Sequence, residues 1–343
     1  MNERYYIGLD VHKKTIAVCV KEADGRVVSE ETVEATREGL GRWVSGIDRP
    51  WIGGLESTLF SGWIYDFLLP HAEELKVAHP AMLKAIAASK KKTDRIDATK
   101  IADLVRCDLL PECYMAPARI RELRRVLRFR NLMVSQAVRL KNKTAGLLME
   151  VGAPYNKKRL HGKRYFGELL QSLEDVPDSI REMLRLSRGG MELFERVQKR
   201  LLKALHGDPL LARRVEALTI LQGVGEVTAL TWALEVGEPE RFSTINRAVS
   251  YCGLCSALSR SAGKDHRGPI SKQRNKHLQT ILIEAAKLAP RWDPSLQAVH
   301  ERELKRGNKN RATLAVARRL VARLLAVDKR YSRAVQDHAV TKD

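Results

Sequence analysis

Ile7-Gly8-Leu9-Asp10-Val11 is an apolar run broken by a single carboxylate, and it follows directly on Tyr5-Tyr6. An acid inside a string of strand formers is hard to account for as a solvated surface group, so this stretch fixes the reading around it. Thr15 to Val20 is apolar and β-branched, Gly25 marks a turn, and Arg26 to Val33 supplies further β-formers. That spacing predicts three short strands in an antiparallel meander. Thr36 to Ile47 sets Leu40, Trp43 and Ile47 on one helical face. Trp51-Ile52-Gly53-Gly54-Leu55 reads as a strand ending at Glu56, Ser61 to Leu69 as a short helix, and Leu75 to Ala78 as a strand stopped by Pro80. The order predicts an α/β domain on a mixed sheet.

Beyond Thr93 the pattern turns helical. Thr93 is a good N-cap for Asp94 to Cys107. Pro117 opens Arg119 to Val151, with apolar Leu123, Leu127, Val134, Val138 and Leu148 set against Arg121, Arg124, Arg125, Arg128, Arg139, Lys141 and Lys143. Pro154 to Arg164 reads as a basic loop, and Arg181 to Leu205 as a returning helix. The two helices predict a long arm, coiled-coil-like without strict heptads. After Asp208-Pro209, helices are predicted at Glu226–Glu235, Phe242–Gly253, Leu278–Ala289 and Ala312–Val327. A polar, basic stretch from Ser259 to Lys276 lies between them. The expected domains are 1–116, 117–207 and 208–343.

The 343 residues hold 61 Lys and Arg against 41 Asp and Glu, a formal net charge of +20. A surplus of this size points to a polyanion partner, because each cation placed beside a phosphate releases counterions. No apolar run is long enough for a membrane span, and the N-terminus lacks the shape of a signal peptide. The expectation is a cytoplasmic protein without membrane contact, whose five cysteines are reduced. Cys252 and Cys255 form a lone C-x-x-C with no second pair, and read as small buried residues rather than a zinc site.

Three constellations could carry chemistry. Asp10 and Glu56 end strands, while Asp94 and Asp97 are three apart at a helix start and share a face. Converging carboxylates repel unless a cation lies between them. Magnesium favours such oxygen ligands, and two ions can activate the attacking oxygen and stabilise the leaving one. The second is Gly223-Val224-Gly225, a turn whose N–H groups open a helix and form either a phosphate contact or a tight interhelical turn. The third is Ser259-Arg260-Ser261-Ala262-Gly263-Lys264, followed by Arg267, Ser271, Lys272 and Arg274. Its serines are either activated nucleophiles or loop residues among cations that grip a backbone.

Ile7-Gly8-Leu9-Asp10-Val11-His12, Leu55-Glu56-Ser57-Thr58 and Lys92-Thr93-Asp94-Arg95-Ile96-Asp97-Ala98 resemble the signature blocks of the DEDD transposases, the insertion-sequence family numbered one hundred and ten. Gly223-Val224-Gly225, Tyr251-Cys252-Gly253-Leu254 and Ser271-Lys272 resemble that family's C-terminal transposase domain. The resemblance implies an RNase H-like (RuvC-like) first domain, with Asp10, Glu56, Asp94 and Asp97 as Mg2+ ligands. It also implies a serine nucleophile, which falls at Ser261. Two positions depart from the family's Tyr-x-Ser-Gly setting: Ser259 stands where the tyrosine does, and Ala262 where the glycine does. Ser259 is therefore a rival nucleophile.

The resemblance further implies target and donor DNA, a structured noncoding guide RNA (the bridge RNA), and a homodimer or homotetramer. The nucleic-acid contacts expected on this reading are Arg124, Arg128, Lys141, Gly223, Gly225, Arg260, Lys264, Arg267 and Lys272. The alternatives are a water-using, resolvase-like nuclease and a nucleic-acid-binding protein with a degenerate site. Retention of all four acids argues against the second.

Overall fold

Side chains alternate across a strand, and in the first strand, β1 (Tyr5–Val11), the alternation separates two jobs. Tyr5, Ile7, Leu9 and Val11 join one hydrophobic cluster, leaving Gly8 and Asp10 on the opposite face. The computed structural model describes residues 4–86, 93–174, 176–261, 264–270 and 273–340. It divides into two compact units, 1–118 and 119–343.

In the first unit β1 is followed by β2 (Thr15–Lys21), β3 (Val27–Glu34), α1 (Arg37–Val44), β4 (Trp51–Glu56), α2 (Ser61–Leu68), β5 (Glu74–Ala78), α3 (Pro80–Ile86) and α4 (Asp94–Arg106). The sheet order is β3-β2-β1-β4-β5. The first three strands form an antiparallel meander, and β4 and β5 run parallel to β1. This mixed five-stranded order is consistent with the RNase H-like expectation. Leu40, Trp43, Ile64 and Leu68 of α1 and α2 share the cluster on one face of the sheet. Thr36 caps α1, its hydroxyl accepting from the Gly39 N–H at 3.0 Å.

The opposite face is bare at its centre so that α4 can lie on it. Gly8 and Gly54 are register partners. A β-carbon at Gly8 would fall 2.0 Å from the Ala98 carbonyl oxygen and 2.4 Å from the Ala102 nitrogen, and one at Gly54 would fall 2.5 Å from Val105 Cγ2. Small residues complete the contact: Ala17, Cys19, Ala98 and Ala102 form a buried cluster. Lys21 Nζ meets Asp103 Oδ2 at 2.7 Å, and both Arg95 and Thr99 engage Glu30. Three side chains thus fasten α4 to β2 and β3.

The second unit contains α5 (Ala118–Glu150), α6 (Lys163–Ser172), α7 (Asp178–His206), α8 (Pro209–Thr219), α9 (Glu226–Val236) and α10 (Ile245–Tyr251). These are followed by β6 (Ser256–Ser261), β7 (Lys264–Ile270), α11 (Lys276–Leu288), α12 (Pro294–Arg306) and α13 (Lys309–Val340). The long helices α5 and α7 run side by side, with Lys141 Nζ 3.1 Å from Glu195 Oε1. Leu147, Leu148, Phe166, Leu169 and Leu184 make a small core at the far end of this pair. Leu123, Leu127 and Leu205, at its near end, share the main core with α8, α9, α11 and α13. The polar stretch after Ser256 is an antiparallel hairpin, β6–β7, inside an otherwise helical unit. Among the described residues no helix is long and apolar enough to cross a membrane.

Candidate active site

The trough at Gly8 and Gly54 decides where the acids meet. Because α4 lies directly on β1, its first turn comes to the end of that strand. Thr93 starts the helix, its hydroxyl accepting from the Ile96 N–H at 3.3 Å. Asp94 and Asp97 occupy the first turn, where the helix dipole favours negative charge. Asp10 follows Leu9, and Glu56 follows Leu55, and Leu9 and Leu55 are register partners on the parallel strands β1 and β4. The two acids therefore lie at one level, near the ends of adjacent strands.

Asp10 is 7% exposed. Burial pushes its carboxyl above the ordinary aspartate value; the charge of His12 opposes this, and Asp94, Asp97 and Glu56 each add to the rise. All four sequence-nominated acids are thus within electrostatic reach of one another. His12 Nε2 lies 3.2 Å from Asp10 Oδ2 and 3.2 Å from Asp94 Oδ1, and Lys100 Nζ is 3.7 Å from Asp97 Oδ1. Arg95, the cation between the two aspartates in sequence, is paired with Glu30 and does not neutralise them.

His12 is the residue that sequence reasoning passed over. The available signal was its position two residues after Asp10, which puts both on one side of an extended chain. One ligand atom from each of Asp10, His12 and Asp94 falls within 4.8 Å of the others. Two carboxylate oxygens and an imidazole nitrogen, with Glu56 and Asp97 beside them, fit a divalent metal ion.

The other nominated residues lie in the second unit. Ser261 is the last residue of β6 and pairs with Lys264; Ser259 pairs with His266, and Arg260 with Asp265. Their side chains, that of Arg267, and Ser271 and Lys272 altogether, lie outside the described residues. The base of the hairpin is held from both sides. Its two feet are joined by Asn275 N–H donating to the Tyr251 carbonyl at 3.1 Å, and by the Gln279 amide donating to the Gly253 carbonyl at 2.5 Å.

Both feet are tied to Glu235 of α9, which is fully buried. Asn275 Nδ2 donates to Glu235 Oε2 at 2.8 Å, and the Tyr251 hydroxyl donates to the Glu235 carbonyl at 3.0 Å. Arg128 closes on the same carboxylate with two hydrogen bonds of 2.8 and 2.7 Å. Arg124 Nε donates to the Leu234 carbonyl at 2.9 Å. Burial raises the Glu235 carboxyl, but the bonds from Arg128 and Asn275 and the charges of Arg128 and Arg124 outweigh it and hold the group below the ordinary glutamate value. Arg124 and Arg128, expected on the nucleic-acid surface, thus have their cations engaged inside the unit, and Lys141 pairs with Glu195.

Gly223 has φ +83° and packs so closely that a β-carbon would lie 2.3 Å from Ala289 Cβ; Gly225 is open and caps α9. Cys252 is buried with its thiol pushed up to about 12 by burial, as fits a core residue.

Two family models match the chain. Residues 7–152 match a transposase model, DEDD_Tnp_IS110, and residues 215–301 match that of the transposase IS116/IS110/IS902 family. The chain belongs to the IS110 family of transposases. A Sinorhizobium fredii protein named as a transposase, y4qE, is 26% identical over 290 residues, 82% of this chain and 70% of its own. A Coxiella burnetii transposase for insertion sequence element IS1111A is 24% identical over 297 residues, 84% of this chain and 78% of its own. A transposase of Yersinia enterocolitica, for element IS1328, is 22% identical over 287 residues, covering 82% and 83%. As an IS110 transposase the protein is a DNA-cutting and DNA-rejoining enzyme, and DNA is its substrate.

Proposed function

We propose that this transposase cuts and rejoins DNA through a serine nucleophile and a magnesium-bearing acidic site. The observation that carries the reading is the meeting of Asp10, His12 and Asp94, with Glu56 and Asp97 in electrostatic reach of Asp10. A divalent cation, when bound, would supply charge neutralisation on the scissile phosphate. Asp10, Glu56, Asp94 and Asp97 would hold and orient it, and His12 fixes Asp10 relative to Asp94. Ser261 Oγ attacks phosphorus and gives up its proton. An Oγ–P bond forms, a P–O bond to the sugar breaks, and the sugar oxygen leaves as a hydroxyl. Rejoining is the reverse: a sugar hydroxyl attacks the phosphoserine and releases the serine. Arg260, Lys264 and Arg267 stabilise the charge that builds on the phosphate oxygens.

Target and donor DNA are chosen by a structured noncoding RNA, and the protein works as a homodimer or homotetramer. The charge of +20 supports the nucleic-acid contact in this reading, since phosphate contacts dominate the binding of structured RNA.

The test is a denaturing gel of protein, labelled target duplex, guide RNA and magnesium. Ser261→Ala is expected to abolish both cleavage and the covalent protein–DNA adduct while leaving nucleic-acid binding intact, and Ser259→Ala to be much milder. An adduct that survives Ser261→Ala but not Ser259→Ala assigns the nucleophile to Ser259. Cleavage by the wild type without any adduct assigns it to water.

A further inference from the structure

A cavity of about 720 Å³ opens between α10, the base of the β6–β7 hairpin, α12 and α13. Its size is that of a small-ligand site, and its lining is uneven in a telling way. Arg302, Arg311, Arg318 and Arg319 contribute four cations, and Glu303 is the one acid among the lining residues. Glu303 lies 3.1 Å from Arg311 and 3.7 Å from Arg302, so it offsets part of that charge. Arg318 donates from Nε to the Leu254 carbonyl at 2.8 Å, which fixes its guanidinium beside the hairpin's foot. Arg319 is exposed and forms no hydrogen bond or ion pair among the described residues.

The remaining walls are not those of a plain phosphate track. Ile245, though 51% exposed, lies with Val249 and Leu314 along the cavity, an apolar surface against which a flat ring can pack. Asn246 and Asn310, both exposed, bring amide groups to the same space. An amide presents a donor and an acceptor together, the combination that reads the edge of a base.

We propose that this cavity seats an unstacked nucleotide of a DNA strand, its base inward against Ile245, Val249 and Leu314 and its phosphate against the arginines. A stacked base pair has no apolar face to offer such a cavity, whereas an extruded base does. The cavity reaches Ser256, Gly268 and Ile270 at the root of the hairpin that carries Ser261. A nucleotide held there would anchor one parted strand during exchange. That consequence rests on the serine reading above, but occupancy of the cavity does not.

The test uses the full-length protein and a fluorescein-labelled single-stranded oligothymidylate, followed by anisotropy across a salt series. Ala315 lines the cavity and is half-buried, so Ala315→Phe fills the space without altering charge. It is expected to weaken binding about tenfold, within the range of losing one base contact, with the salt slope unchanged. Arg319→Gln is expected to weaken binding about threefold and to lower the slope by about 0.7, the value of one phosphate contact on a single strand.

An abasic strand of the same length separates a base seat from a backbone contact. Wild type should bind it about as weakly as Ala315→Phe binds oligothymidylate, and Ala315→Phe should cost nothing further on it. The proposal is overturned if both variants keep wild-type affinity, or if Ala315→Phe is equally costly on the abasic strand. It is also overturned if oligouridylate loses more than oligothymidylate, which makes the cavity an RNA seat. A thermal melt guards against misfolding of Ala315→Phe, and Arg319→Gln, at an exposed position, carries the test if that variant fails. Because the readout is binding, a serine that proves not to be the nucleophile leaves these results unchanged.

Discussion

Gly8 has no side chain, and the acidic site depends on that lack. Any β-carbon there meets backbone atoms of α4 at 2.0 and 2.4 Å, and backbone cannot swing aside as a side-chain tip can. Gly8→Ala is therefore expected to push α4 off the sheet, costing at least the roughly 1–3 kcal/mol of ordinary overpacking. Asp94 and Asp97 should move away from Asp10 with it. A lowered Tm together with loss of DNA cleavage checks this; unchanged stability with full activity contradicts it. His12 makes a different prediction. It lies within hydrogen-bonding distance of both Asp10 and Asp94, so His12→Ala should leave the fold intact and weaken Mn2+ binding by about 10–100-fold, the range seen when a ligand or its orienting partner is lost. Titration calorimetry with Mn2+ reads the effect directly; unaltered affinity removes His12 from the site.

Among the elements, the hairpin is the one whose two feet are both tied to one buried glutamate. Glu235 joins α5, α9 and both feet of β6–β7, and removing it leaves Arg128 without its partner. Because Arg128 itself is 45% exposed and stays hydrated, Glu235→Ala should cost about 1–3 kcal/mol, the range for losing the hydrogen bonds of a charged group. The pH dependence has a definite sign. A carboxyl held below its ordinary value of 4.5 stabilises the fold above that value, and the contribution is lost as pH falls through the lowered one. Wild type should therefore lose Tm on acidification below about pH 4.5 more steeply than Glu235→Gln; parallel acid profiles would contradict this. The hairpin itself was not legible. Ser256–Ser261 and Lys264–Ile270 carry few β-branched residues, with Gly268 and Pro269 among them, so nothing in their composition outweighs the reading of a basic loop. Here the clamp from Tyr251, Asn275 and Gln279 sets the conformation where local propensity does not. The helix α12 left a fainter trace, an Asp293 cap followed by Pro294, but only Leu296 of its face is buried. Conversely, β1, β4 and α4 were readable because burial on both sheet faces and a capped first turn leave strong patterns. These same elements hold Asp10, Glu56, Asp94 and Asp97, so the four acids were legible where His12 and Glu235 were not. A core glutamate looks in sequence like any polar residue near a helix end.

At the scale of the molecule, the surplus of cations is not spread evenly over solvent. Arg124 and Arg128 are spent on Leu234 and Glu235, Arg214 closes on the buried Asp328 with bonds of 2.7 and 2.6 Å, and Lys141 pairs with Glu195. Cations already matched by a carboxylate release few counterions when a polyanion arrives, so they add little to salt-dependent binding. Arg125 and Arg139 of α5 are exposed and take part in no hydrogen bond or ion pair among the described residues. If the arm binds the backbone of a structured RNA, these two are the cations of α5 best placed to meet it. Replacing Arg125 and Arg139 together with glutamine should weaken RNA binding at low salt and flatten the plot of log affinity against log salt by about 1.4–1.8, two phosphate contacts at about 0.7–0.9 each. Stability should hardly change, since surface substitutions away from special contacts stay within about 0.5 kcal/mol. Arg128→Ala should do the reverse, lowering Tm through Glu235 while leaving the slope near that of wild type. Filter binding of the guide RNA over a salt series, with a thermal melt of each variant, distinguishes the two. A slope that falls with Arg128→Ala and holds in the double variant would place the RNA on the inner face of α5 and require Arg128 to leave Glu235 when RNA binds.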